Sequence, residues 1–184
     1  MRTVLVSMED EYRRYRSLAE SAFAQLSPEQ LVQAPGAGDN AVATIAWHIA
    51  GNLRSRFSDF LTSDGEKPDR DRDSEFLPRQ ITHAELMTFW DPAWDILFTA
   101  LASLSDIDLT RSVTIRGKPL QVVAAVHRSV AHAAYHVGQI VFLAKQLRGL
   151  DWRSLSIPPG QSAAYNASPT REARSPISSD KGRT

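Results

Sequence analysis

The sequence contains no cysteine. Disulfides, cysteine-ligated zinc and a thiol nucleophile of the protein's own are therefore excluded. Any metal must be held by histidine, carboxylate, amide or water ligands, a donor set suited to zinc, nickel, iron or manganese. An excess of charge of either sign is also lacking, since 21 basic residues face 21 acidic ones for a formal net charge of zero. A general nucleic-acid or anionic-membrane binder would carry a basic excess, so neither is expected as a partner. No apolar run is long enough to span a bilayer. The run Val4-Leu5-Val6 is too short for a signal peptide and is too soon followed by Glu9 and Asp10, so a soluble, cytoplasmic protein is expected. The 184 residues suffice for one domain with its own core.

What the chain does carry is helical periodicity. Glu9 to Leu26 reads as a first helix, with Tyr12, Tyr15, Leu18, Ala19, Ala22, Phe23 and Leu26 on one face. Ser27-Pro28-Glu29-Gln30 stops it and caps a short helical turn. Ala41 to Thr62 reads as a second helix, capped from Asp39 or Asn40, with Val42, Ile45, Ile49, Leu53, Phe57 and Phe60 as its apolar face. Ser63 to Gln80 is a long charged loop, a lid or an interface by its length, without the acid spacing of an EF-hand. Thr82-His83-Ala84-Glu85 is a capping box that opens a third helix, to about Leu104, with a kink or break expected at Pro92. Ser112 to Ile115 reads as one extended piece ended by Gly117. Pro119 suits the start of a fourth helix, which runs from about Leu120 to Leu147 before Gly149. Residues 1–166 are expected to form the folded domain. Residues 167–184, rich in serine, proline and arginine with almost nothing apolar, are expected to be a disordered tail.

The fourth helix organises the rest. Val122, Val126, Val130, Ala133, Val137, Ile140, Val141 and Ala144 form its apolar stripe, and beside it runs one narrow polar seam. At roughly 100° per residue, His132, His136 and Gln139 fall within about 60° of one another on that seam. A desolvated imidazole needs a partner. Two readings stay open for the pair, hydrogen bonds to a neighbouring helix or a shared metal ion one helical turn across. A zincin motif is absent, because Ala133 stands where its glutamate base would be. The second helix has a polar stripe of its own, His48, Asn52, Ser55 and Asp59, with Arg56 at its edge, open to a reading as a solvated face. If these two helices face each other, His48 becomes the third ligand, giving a three-imidazole site with positions left for water or substrate.

On Trp47-His48-Ile49-Ala50-Gly51-Asn52 and His132-x-x-x-His136-x-Gly138-Gln139-Ile140, the chain resembles the DinB superfamily of DinB/YfiT-like metal-dependent proteins, in a branch of unknown function, over roughly Glu9 to Asn166. The resemblance implies an all-α, up-down-down-up four-helix bundle, often dimeric, with His48, His132 and His136 as metal ligands. Exposed aromatics such as Trp90 or Trp94 would suit a homodimer. It also implies a divalent-metal-dependent enzyme acting on a small molecule, of the thiol-cofactor S-transferase or hydrolase type. The alternative is a non-catalytic metal-binding or stress-related interaction protein. Within that picture Arg56, or else Arg54 or Lys67, would hold a thiol cofactor's carboxylates, and Asn52, Asp59 or Gln139 would orient water at the metal.

Overall fold

The computed structural model of the chain describes residues 1–169, so the expected tail lies outside the described residues from 170 onward. Met1–Trp152 forms one compact unit, and a second begins at Arg153. In order, the first unit holds α1 (Thr3–Phe23), α2 (Pro28–Val32), α3 (Val42–Phe57), α4 (His83–Ala102), β1 (Ser112–Ile115), β2 (Lys118–Gln121) and α5 (Val122–Arg148). The second unit holds the short α6 (Ser162–Ala167). The fold is thus mostly helical, with one small antiparallel hairpin that the all-α expectation did not contain. Among the described residues no helix is long and apolar enough to cross a membrane.

The four long helices share one core, with α1 against α4 and α5 and α3 against α4 and α5. The apolar faces read from periodicity are the buried ones. All six apolar positions expected on the second helix are buried, Phe60 just past the end of α3, as are Val122, Val126, Ala133, Val137, Ile140 and Ala144 on α5, where Val130 and Val141 are half-buried. Trp90 and Trp94 are each 0% exposed, so they cannot supply a dimer surface. Instead Trp94 packs edge-on against Tyr12 and tilted against Trp90, and the Trp90 indole N–H donates to Glu20 Oε1 at 3.1 Å. Both indoles fall on the core stripe of α4 with Leu86, Ala93, Leu97 and Leu101. Large aromatics on such a stripe are core before they are interface.

Several boundaries differ from expectation for identifiable reasons. Helix α1 starts at Thr3, six residues before Glu9, because Leu5 and Met8 extend its buried face and the Asp106 carboxylate accepts from the free N–H groups of Val4 and Leu5. Ala41, not Asp39 or Asn40, caps α3, with no side-chain cap bond. That helix ends at Phe57, and Asp59 follows in a left-handed conformation (φ 47°). Helix α4 runs through Pro92 unbroken. The proline sits on the exposed face, where the carbonyl left without its donor can turn to water. Pro119 does not begin a helix. It pairs with Thr114 across the hairpin, in the edge-strand position that proline tolerates, and α5 starts at Val122. The two-residue turn Arg116-Gly117 has φ of 54° and 70°, the pair of positive values that a type I′ hairpin turn needs.

The charged loop is neither a detached lid nor a free surface. Asp64 accepts hydrogen bonds from the Arg116 and Gly117 amides, both at 2.8 Å, and Gly65 N donates to Thr114 O at 2.7 Å. Ser55 Oγ on α3 donates to Gly65 O and accepts from Lys67 N. These bonds lay the loop along the polar stripe of α3 and tie it to the hairpin. Its later part, a 3-10 turn over Asp73–Phe76, then delivers Glu75 to the interior.

Candidate metal centre

One ring nitrogen from each of His48, His132 and His136 lies within 4.8 Å of the others. His48 comes from α3 and the other two from successive turns of α5, so the centre requires these two helices to pack, and they do. The stripe on α3 is not a solvated face, for His48, Asn52 and Ser55 are all buried.

The hydrogen bonds around the three rings decide which atoms point inward. His48 Nδ1 lies 2.7 Å from Glu75 Oε2. An ionised carboxylate only accepts, so Nδ1 carries the proton and Nε2 presents its lone pair. His136 Nδ1 lies 2.7 Å from Gln139 Oε1, while Gln139 Nε2 donates to the Tyr135 hydroxyl, which leaves His136 Nε2 bare in the same way. His132 Nε2 sits 3.2 Å from His48 Nε2. A proton on His132 could bridge that one contact but would leave the lone pair of His136 without a donor. A cation satisfies all three. With metal–nitrogen bonds of 2.0–2.1 Å, tetrahedral geometry puts ligand nitrogens ~3.3 Å apart, so the His48–His132 spacing already fits. The donor set is therefore compatible with a divalent transition metal, with an outer partner orienting His48 and another orienting His136.

The family model described as "Protein of unknown function (DUF1572)" matches residues 1–161. The chain belongs to the DUF1572 family. Among solved structures, this DUF1572 chain is similar to a conserved protein from Enterococcus faecalis, with a TM-score of 0.66, 15% sequence identity, and coverage of 80% of this chain and 98% of that one. That likeness is one of fold. No curated protein matches the chain.

The electrostatics of this DUF1572 site favour ligands over protons. Burial, and then the neighbouring His136 and His48, push His132 down to about 3. Burial also lowers His136, against the opposing hydrogen bond of Gln139. Burial alone would raise the Glu75 carboxyl, but the hydrogen bonds from His48 and Arg70 together hold it below its ordinary value. Since the unfolded chain takes up a proton at His132 below about pH 6.5 and the folded, metal-free chain does not, stability falls as pH falls through that window. The urea midpoint of metal-free protein is therefore expected to drop between about pH 7 and about pH 5, where carboxylates stay ionised. The drop should be shallower in His132→Gln. An equal slope in parent and variant would show that His132 does not carry it.

Other expected site residues part company here. Asn52 lines a cavity of about 200 Å³ that opens beside His48 and His132. Gln139 is in contact with His136 and Tyr135, so its place is behind a ligand. Asp59 is exposed, beyond the end of α3, and is not on the cavity wall, because the helical phase that put it in line with His48 stops at Phe57. Arg56 reaches the cavity but donates to Gly65 O and to Glu66 at 3.0 Å. Arg54 is exposed, with its guanidinium 5.8 Å from the Phe89 ring, and Lys67 donates to Ser63 Oγ and Asp64 O. Sequence reasoning missed Glu75 and Arg70. Arg70 grips Glu75 with two bonds, at 2.7 and 2.8 Å, and both side chains are buried. The available signal was Gly51, a glycine inside a helix one turn from His48. A Cβ there would overlap the Glu75 carboxylate.

Proposed function

We propose that the chain is a divalent-metal-dependent enzyme of DinB/YfiT type, an up-down-down-up bundle acting on a small molecule by thiol-dependent S-transfer or hydrolysis-like chemistry. The observation that carries this reading is the convergence of three imidazoles, two of them oriented from behind by Glu75 and Gln139, with His48 and His132 on the wall of a cavity. Three protein ligands beside open space make a catalytic type of site; a structural site would be closed by a fourth. A divalent metal, when bound, supplies the Lewis acidity that lowers the pKa of a water or thiol presented to it. The chain's own residues do the rest. Glu75 fixes the tautomer and direction of His48, Gln139 does so for His136, and burial keeps His132 unprotonated. Asn52, buried on the cavity wall, offers an amide to position the reacting group. The ring of contacts α1–α4–α3–α5 supports the bundle topology.

The test is turnover by chain loaded in turn with zinc, nickel, iron(II) or manganese. Each form is offered a low-molecular-weight thiol with an activated aryl halide and, separately, activated esters. Metal-dependent turnover in one class, absent from His132→Ala, is the expected result. No turnover with any of the four ions in either class would overturn the enzymatic reading.

A further inference from the structure

Among the described residues, the cavity beside the histidines is bordered by five arginines, Arg56, Arg70, Arg72, Arg116 and Arg128, and by no carboxylate. In a chain of zero net charge that is a concentrated cationic surface. Three of the five are committed. Arg70 is spent on Glu75, while Arg56 and Arg116 share the single carboxylate of Glu66, which Arg70 also approaches at 3.5 Å. The other two are not. Arg72 meets Asp73 at 4.0 Å, a carboxylate 99% exposed, and lies 5.1 Å from the centre of the Phe76 ring, and Arg128 makes no ion pair or hydrogen bond among the described residues.

A second observation lies in the same wall. Ser129, next to Arg128 on α5, is 7% exposed, and its Oγ has no hydrogen-bond partner among the described residues. The Tyr12 hydroxyl is beside it but outside hydrogen-bonding geometry, and the tyrosine's own proton goes to the Val126 carbonyl at 3.2 Å. A buried hydroxyl without a partner is uncommon, and one that lines a cavity is explained by a ligand that completes it.

We propose that this cavity binds the anionic end of a small molecule, a carboxylate or a phosphate, between Arg128 and Arg72, with Ser129 Oγ donating a further hydrogen bond. Guanidinium groups suit both anions because their forked donors match two oxygens at once. The inference names the substrate class of the site described under Proposed function and rests on that reading only for what happens at the molecule's other end. It also moves anion recognition away from Arg56, whose guanidinium is already engaged.

The experiment is calorimetric titration of the full chain, as purified, with inorganic phosphate and separately with succinate at fixed ionic strength. Metal content is measured on the same samples. At least one anion is expected to saturate the parent, and the better of the two assigns the headgroup. The double variant R72Q/R128Q should bind at least about tenfold more weakly, with metal content unchanged. Ser129→Ala, which removes an unsatisfied hydroxyl and so keeps the fold, should weaken binding severalfold. Failure of both anions to saturate, or undiminished binding by the double variant, would overturn the proposal. A chain that holds no metal yet titrates as expected would sink the metal reading and leave this one standing. A chain with metal and no anion binding would do the reverse.

Discussion

Glu75→Ala is expected to weaken metal binding by about 10–100-fold although Glu75 never touches the metal position. Its carboxylate accepts the His48 Nδ1 proton at 2.7 Å, and without it the imidazole is free to rotate or to take the other tautomer. The same substitution strands Arg70. Both members of this ion pair are about 6% exposed, and removing one partner of a buried pair costs about 3–5 kcal/mol. The lower end applies, since Arg70 keeps Glu66 at 3.5 Å. Zinc titration of the variant reads the first effect, and urea unfolding of the metal-free protein reads the second. Glu75→Gln, which keeps an acceptor for His48 but removes the charge facing Arg70, should fall between parent and alanine in both. Parent-like zinc affinity in Glu75→Ala would mean that His48 is oriented by something other than this loop.

Gly51→Ala should be harmful where helix propensity says it should help. Alanine in a helix interior ordinarily gains about 0.5–1 kcal/mol over glycine. At position 51 the added Cβ would lie 2.8 Å from Glu75 Cδ and closer still to its oxygen. Glu75 cannot simply step aside, because His48 and Arg70 hold it on two sides. The expected outcome is a net loss of about 1–3 kcal/mol and a fall in metal affinity in the same direction as Glu75→Ala. Gly138→Ala is the matched control. A Cβ there meets nothing within 4 Å, so the ordinary propensity gain should appear in its melting temperature. If Gly51→Ala were as stable as Gly138→Ala, the close approach of the charged loop to α3 would be wrong.

Both substitutions probe the part of the site that was least legible in the sequence. Helical phase is local information. It placed His132, His136 and Gln139 on one seam of α5 and His48 on the stripe of α3, and the structure brings the three histidines together. Phase fails where a helix ends. Asp59 was in line with His48 only for as long as α3 continued, and α3 stops at Phe57. The hairpin is half visible, as the extended Ser112–Ile115, but a proline ahead of an apolar helical run signals a helix start, whereas its partner across the turn, Thr114, makes Pro119 a strand residue. Glu75 and Arg70 were hidden for a different reason. Their loop has no period, and its path is set by long-range bonds from Ser55, Arg116 and Gly117 to residues 64–67. Trp90 and Trp94 are core and not surface, a distinction that aromatic bulk alone does not make.

Binding of one metal ion by His48, His132 and His136 is the central expectation. Its most direct test is elemental analysis of the full chain, purified without a histidine tag, on the parent and on His136→Ala. The geometry predicts about one transition-metal ion per parent chain and almost none in the variant. A parent chain that stays metal-free, with an unchanged melting temperature after zinc, nickel, iron or manganese is added, would contradict it.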